Sequence, residues 1–370
     1  MGTNAGTDAG MDEGTNVMRA VWYESNGPAG EVLVTGEMAR PEPREGEVLV
    51  RLHASGVNPS DVKARAGARP MAFDRVIPHS DGAGVVEAVG GSKVGGFNGG
   101  DFKVGDRVFI RNGQWRRALG SAAAYIALDA GLVHPLPDAV SFEVGASLGI
   151  PGMTAAHAVL KDGPVDGASL LVQGGGGTVA RLAVQIARAS GARVITTSSR
   201  ADQRQRLIGL GASAALDYRD PELAHQIIAA NDGRPIDRVI DAEVGANLDT
   251  SLEVLREGGV IAGYGSVKHP NPELPFLKMM FKNIILSSIL VYLLKDDDAA
   301  RYAAILVQML TAGTVQLSVA AALGLEEAAL AHEMVEAGNR DGAVVLTVWA
   351  RPGRPASGRR GRGAGNGFGL

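Results

Sequence analysis

The 370-residue chain contains no cysteine. Disulfides, thiolate catalysis and cysteine-ligated zinc are therefore excluded, including any four-cysteine structural lobe. Aromatic residues make up only 5% of the chain while glycine occurs 51 times, a balance that suits an α/β protein with many tight turns rather than a helical bundle. No apolar run is long enough to span a bilayer; the richest, Ile284–Leu294, is too short and carries two serines. Excess positive charge is also lacking. The net charge is −4, and the tail from Arg351 holds five arginines and no acid, so the remainder stands at −9. That body gives no general reason to expect nucleic acid as a partner. The N-terminal Met1–Val17 is polar and has no apolar signal core, so it reads as a disordered leader. The low-complexity tail after Arg351 reads as disordered too, and the expected location is cytoplasmic.

What is present is concentrated in Leu170–Arg200, LLVQGGGGTVARLAVQIARASGARVITTSSR. An apolar strand runs into four glycines, and Val179, Leu182, Ala183 and Ile186 then recur with the period of one helix face. Gly191 ends the helix before a second, β-branched strand, Arg193–Thr197. Gly175-x-Gly177-x-x-Ala180 fits a relaxed dinucleotide fingerprint, in which glycine lets a pyrophosphate approach bare backbone at a helix N-terminus. The backbone from Gly174 through Gly175, Gly177, Thr178 and Val179 is the expected phosphate cradle. A P-loop is excluded because no Gly-Lys-Ser/Thr follows. NAD sites place an acid at the end of the second strand, whereas this chain has Thr197, Ser198, Ser199 and Arg200 there, with Arg204 a turn later. Hydroxyls and guanidinium suit a 2′-phosphate, so the expected cofactor is NADPH. The competing reading is that the two arginines only solvate a helix start.

Around this unit, Met18 to about Tyr125 shows short strands broken by turn residues, and helices alternate with strands from about Ser141. A last strand over Ala343–Val348 returns to the first domain. The expectation is an irregular β-rich domain over 18–145, completed by 318–350, and a doubly wound parallel-sheet domain over 146–317.

Several segments in this order resemble the medium-chain dehydrogenase/reductase superfamily, in its zinc-independent, zeta-crystallin-like quinone oxidoreductase branch. Gly56-Val57-Asn58-Pro59-Ser60-Asp61, Ile77–Val86 (IPHSDGAGVV), Val104–Val108 (VGDRV) and Leu148–Ala155 (LGIPGMTA) carry the resemblance, which covers nearly all of Met18–Ala350. It implies a GroES-like catalytic domain joined to a Rossmann cofactor domain. Zinc members of the superfamily have Cys and His where this chain has Asn58 and Pro59, and His-Glu where it has Ser80 and Asp81. No metal is therefore expected. A single His79 beside Ser80 and Asp81 reads as a turn residue rather than a ligand.

Chemistry without a Lewis acid is hydride addition to an acceptor that is already activated, a quinone or the β-carbon of an enone. By resemblance, Asn58 lies near nicotinamide and substrate as the candidate hydrogen-bond donor; its alternative is a turn cap before Pro59. Lys63 stands where relatives have a substrate-facing Tyr, and either donates to a carbonyl or points to solvent. Asp61 is expected to buttress the loop rather than act as a base. Trp115, with Arg116, lines the acceptor site or closes the core. The resemblance further assigns Thr154 to the carboxamide, Tyr218 to the adenosine end, and Gly265 and Ser266 to the cofactor edge of the sheet. It also implies a homodimer through the Ile284–Val291 strand. The alternatives to quinone reduction are an enoyl or alkenal reductase of the same superfamily, or a non-catalytic NADPH-binding or RNA-binding protein.

Overall fold

The computed structural model describes residues 16–91, 102–338 and 340–349. The expected tail lies outside them, as does the expected leader except for its last two residues. Val17 already opens a strand, Val17–Trp22, paired antiparallel with Val34–Ala39.

Two sheets organise the rest. The first has seven strands, with Glu47–Val57 at its centre. This strand pairs antiparallel with Asp81–Val89, with Tyr125–Asp129 and with the returning Ala343–Thr347. The expected return of the last strand is thus observed, and the parallel pairing of Val319–Gly324 with it extends the same sheet. The second sheet is wholly parallel. From edge to edge its strands are Ala214–Leu216, Arg193–Thr197, Ser169–Val172, Ile236–Asp241, Leu255–Gly263 and Ile285–Ser288. The order reverses beside Ser169–Val172, and a doubly wound sheet binds its ligand at such a switch point. All four residues of Ser169–Val172 are buried, as a strand covered by helices on both faces requires.

One apolar cluster joins the two sheets. It runs from Phe109 and Val345 through Leu148 and Met153 to Val172 and Ile186. Between them Leu148–Gly152 forms a single π-helical turn containing Pro151, and Met153–Leu160 continues it as α-helix. Such turns tend to mark functional sites, because the extra residue redirects backbone N–H groups. Among the described residues, no helix is long and apolar enough to cross a membrane.

Candidate active site

The glycines after Ser169–Val172 work differently from one another. Gly174 has φ +69°, a left-handed conformation open to glycine at no steric cost. A Cβ on Gly175 would stand 2.4 Å from Thr196 Oγ1, and one on Gly176 would stand 2.4 Å from Gln203 Oε1. These two glycines let the turn pack against the neighbouring strand and helix. Gly177 caps the Thr178–Ala189 helix, and its nearest neighbour for a Cβ is Gly174 O at 3.8 Å, so that side is open. Gly174, Gly177 and Thr178 line a cleft of about 690 Å³ together with Ser198, Ser199, Arg200 and Tyr218. These residues are 44 positions apart at the extremes, and the sheet brings them to one edge.

The cleft also holds residues that the sequence did not single out: Gly176, Gln203, Lys268, Gly338 and Arg340. Ser198 Oγ donates to Gln203 Oε1 at 2.7 Å. Arg200 is held two-pronged by Asp202, at 3.1 and 2.8 Å. Arg204 donates to Ser198 O and faces Asp217, which also pairs with Arg219 at 2.6 Å. Arg340 Nη1 donates to Val335 O at 3.0 Å, whereas its Nε is buried with no hydrogen-bond partner among the described residues. As a cationic residue lining the cleft, Arg340 suits an anion there.

Val179, Gly265, Ser266 and Thr154 lie elsewhere. Val179 packs against the apolar core. A Cβ on Gly265 would stand 2.5 Å from Ala242 O, and Ser266 Oγ accepts from Gly245 N at 3.0 Å, so both close the turn beyond Leu255–Gly263. Thr154 is buried in the first turn of Met153–Leu160.

A second constellation forms where the β-rich sheet meets the π turn. Asn58 stands at the N-cap of Pro59–Arg65, the position foreseen by its turn-cap reading, and its N–H donates to Asp61 Oδ2 at 2.8 Å. Its side-chain Nδ2 donates to Asp81 Oδ2 at 2.9 Å, and Ile150 N donates to the same oxygen at 2.9 Å. Asp81 thereby ties the Asn58 corner to the π turn. A Cβ on Gly149 would stand 2.3 Å from Asp81 Oδ1, which is why glycine fits there. Asp81 Oδ1 itself has no hydrogen-bond partner among the described residues.

Both acids are buried. Burial pushes the Asp61 carboxyl up to about 7, against the Asn58 N–H and the charge of Arg69, which hold it down. Burial also raises Asp81 well above the carboxylate range, and Asp61 adds to this. The corner therefore holds protons near neutrality rather than carboxylate charge. Tyr292 OH donates to Ser60 Oγ at 3.0 Å. The Tyr292 ring stacks on Trp115 with centroids 4.5 Å apart at 17°. Trp115 thus flanks the corner through a residue 177 positions away, a contact with no local signal. Lys63 is not brought to it: its side chain is exposed, while Asp61, Val62, Ala64 and Arg65 take the buried faces of the helix.

No group of three or more His, Cys, Asp or Glu side chains placed to hold a metal occurs among the described residues. His79 instead bonds to Ser55 Oγ through Nδ1 at 2.8 Å and approaches His332 through Nε2.

Residues 44–138 match the alcohol dehydrogenase GroES-like domain, and residues 178–310 match the zinc-binding dehydrogenase domain. A quinone oxidoreductase of Pongo abelii is 32% identical over 347 residues, covering 91% of this chain and all of that one. A native mycobacterial quinone oxidoreductase structure superposes with a TM-score of 0.81 at 29% identity, over 90% of this chain and all of that one. A mycobacterial structure complexed with NADPH superposes with a TM-score of 0.78 at 29% identity and the same coverage. On sequence over nearly its whole described length, and on a GroES-like sheet joined to a doubly wound one, this chain is an oxidoreductase of the medium-chain dehydrogenase/reductase superfamily, in its zeta-crystallin-like quinone oxidoreductase branch.

Proposed function

We propose that this protein is an NADPH-dependent, metal-free reductase whose acceptor is a quinone. The observation that carries the reading is the Asn58–Asp61–Asp81 corner, a set of hydrogen-bond donors and raised carboxyls rather than a ligand set. Bound NADPH supplies a hydride, and an already conjugated acceptor needs no Lewis acid to receive it.

The residues divide the remaining work. The backbone at Gly174–Thr178 and the helix start behind it suit the pyrophosphate. Ser199, Arg200, Lys268 and Arg340 line the same cleft and suit the 2′-phosphate. The likeness to a structure complexed with NADPH supports this assignment. Asn58 Nδ2 donates to Asp81 and its side chain also hydrogen-bonds Asp61, so the amide is held in place at the corner as the donor to a developing oxyanion. Asp81, held by Ile150 N, fixes the orientation of that amide. The Trp115–Tyr292 stack presents a planar aromatic wall beside the acceptor and keeps water from it.

A second copy of the chain is the proposed macromolecular partner. Among the described residues, Ile285–Ser288 is an edge strand with no pairing neighbour on one side. Around it Phe276, Leu277, Phe281, Ile285, Leu290 and Leu293 are exposed, an apolar area that a monomer would leave in water.

Decay of NADPH absorbance across a quinone panel tests the function, with metal analysis of the same sample. Turnover of quinones by metal-free protein is the expected result. Turnover of enones alone moves the reading to an enoyl or alkenal reductase. Bound zinc, or a strong preference for NADH, overturns it.

A further inference from the structure

On the outer side of the Trp115–Tyr292 stack lies a cavity of about 180 Å³. Its walls include Tyr23, Met71, Phe73 and Trp115, together with the guanidinium-bearing Arg69 and Arg116. Among the described residues, no Asp or Glu lines it. The Arg69 guanidinium stands 5.7 Å and that of Arg116 5.3 Å from the Trp115 ring centre. Neither makes an ion pair with a carboxylate among the described residues, while adjacent Arg75 is paired with Glu24 at 2.5 Å. Arg116 is held at φ +57°. That left-handed conformation costs a non-glycine residue about 1–2 kcal/mol, and strain of this kind gathers at ligand clamps.

The cavity adjoins the acceptor corner along the Pro59–Arg65 helix and across the Trp115–Tyr292 stack. Ala64 lines it, and Ser60, which accepts from Tyr292, lies one helical turn earlier on the same face of Pro59–Arg65. Arg69 is also close enough to act on the charge of Asp61.

We propose that this cavity selects acceptors carrying an organic anion, a carboxylate or its equivalent, at the end remote from the conjugated carbonyl. Aromatic walls take up a planar apolar body, and two guanidinium groups with no protein counter-charge take up the anion. Arginine suits the task because it is weakly hydrated and remains charged when partly covered by a ligand. The inference rests on the reading of the Asn58 corner as the acceptor site.

The test compares acceptor pairs that differ only by a remote carboxylate. One pair is 1,4-naphthoquinone and its 6-carboxylate; the other is 4-phenyl-3-buten-2-one and its para-carboxylate. The expected result is a kcat/KM about tenfold higher for each carboxylated member, equivalent to roughly 1.4 kcal/mol. That ratio should fall toward one at high salt and in the Arg69→Gln, Arg116→Gln double variant. A ratio at or below one in the parent, or one unchanged in the variant, overturns the proposal. Calorimetric titration of 2-naphthoate into cofactor-free protein separates this from failure of the reductase reading. Saturable binding that the double variant weakens, with no acceptor reduced, supports the anion cavity and overturns the reductase. No saturable binding and no reduction overturns both.

Discussion

The Nε2 atoms of His79 and His332 lie 2.9 Å apart in a fully buried contact between the loop entering the Asp81–Val89 strand and the Ala328–Ala337 helix. At that distance one nitrogen donates and the other accepts, so the pair is neutral as folded. Burial holds His79 well below its ordinary pKa, with His332 adding to this; burial, then Arg65, pushes His332 down to about 3. The unfolded chain therefore takes up protons below about pH 6.5 that the folded one refuses. This contribution is fully present above pH 6.5 and is lost as the pH falls toward 3. His332→Gln keeps a polar group opposite His79 and removes one titrating site. Its urea-denaturation free energy should depend less on pH between 6 and 4, by about 1.4 kcal/mol per unit. Equal slopes for parent and variant would refute the assignment.

Asp61 carries the opposite sign. Its folded pKa of about 7 lies above the 3.8 of an ordinary aspartate, so the folded state holds a proton more tightly between those limits. Stability from this group is present at low pH and is lost as pH rises through 7. Asp61→Asn still offers an oxygen to the Asn58 N–H and never ionises. Relative to the parent it should gain stability from pH 4 to 7, then level off. A constant difference across that range would show that Asp61 does not titrate there.

The glycines separate packing from binding. Gly175→Ala sets a Cβ against Thr196 and Leu207, and should cost about 1–3 kcal/mol in thermal unfolding. Gly177→Ala faces open space, so its stability cost should stay within about 1 kcal/mol. Its NADPH dissociation constant should nevertheless rise about tenfold, because the methyl stands where a phosphate approaches backbone. Unaltered NADPH binding in Gly177→Ala would remove this turn from the cofactor site.

Arg340→Gln and Lys268→Gln should each weaken NADPH about tenfold while changing NADH little. The ratio of the two affinities, measured by fluorescence titration, is insensitive to a general loss of folding. A ratio that does not move would place the 2′-phosphate elsewhere.

Leu277 and Phe281 are 63% and 78% exposed beside the edge strand. Sedimentation should find the parent as a dimer and the Leu277→Lys, Phe281→Lys double variant as a monomer with intact NADPH binding. A monomeric parent at micromolar concentration would exclude this edge as the interface.

What the sequence determined by itself was mostly local. Leu170–Arg200 was legible because an apolar strand, a glycine turn and a 3.6-residue period specify their own conformations, and the structure has Ser169–Val172, Thr178–Ala189 and Arg193–Thr197 there. The strands at Val34–Ala39 and Val319–Gly324 were not legible, because neither contains a buried residue to mark a periodic face. The π turn at Leu148–Gly152 was likewise hidden, since its geometry depends on Asp81 accepting from Ile150. Asn58 stood out by residue type, but only folding set its amide against Asp81 and pushed both acids upward. Trp115 was a candidate without a partner until Tyr292 came to it, and Arg340 had no local signal at all. Backbone preference and periodicity act over a few residues, whereas burial, electrostatics and cleft walls come from chain segments that meet only in the tertiary structure. The cysteine-free composition and the glycine turn therefore bounded the chemistry, and long-range packing decided where it takes place.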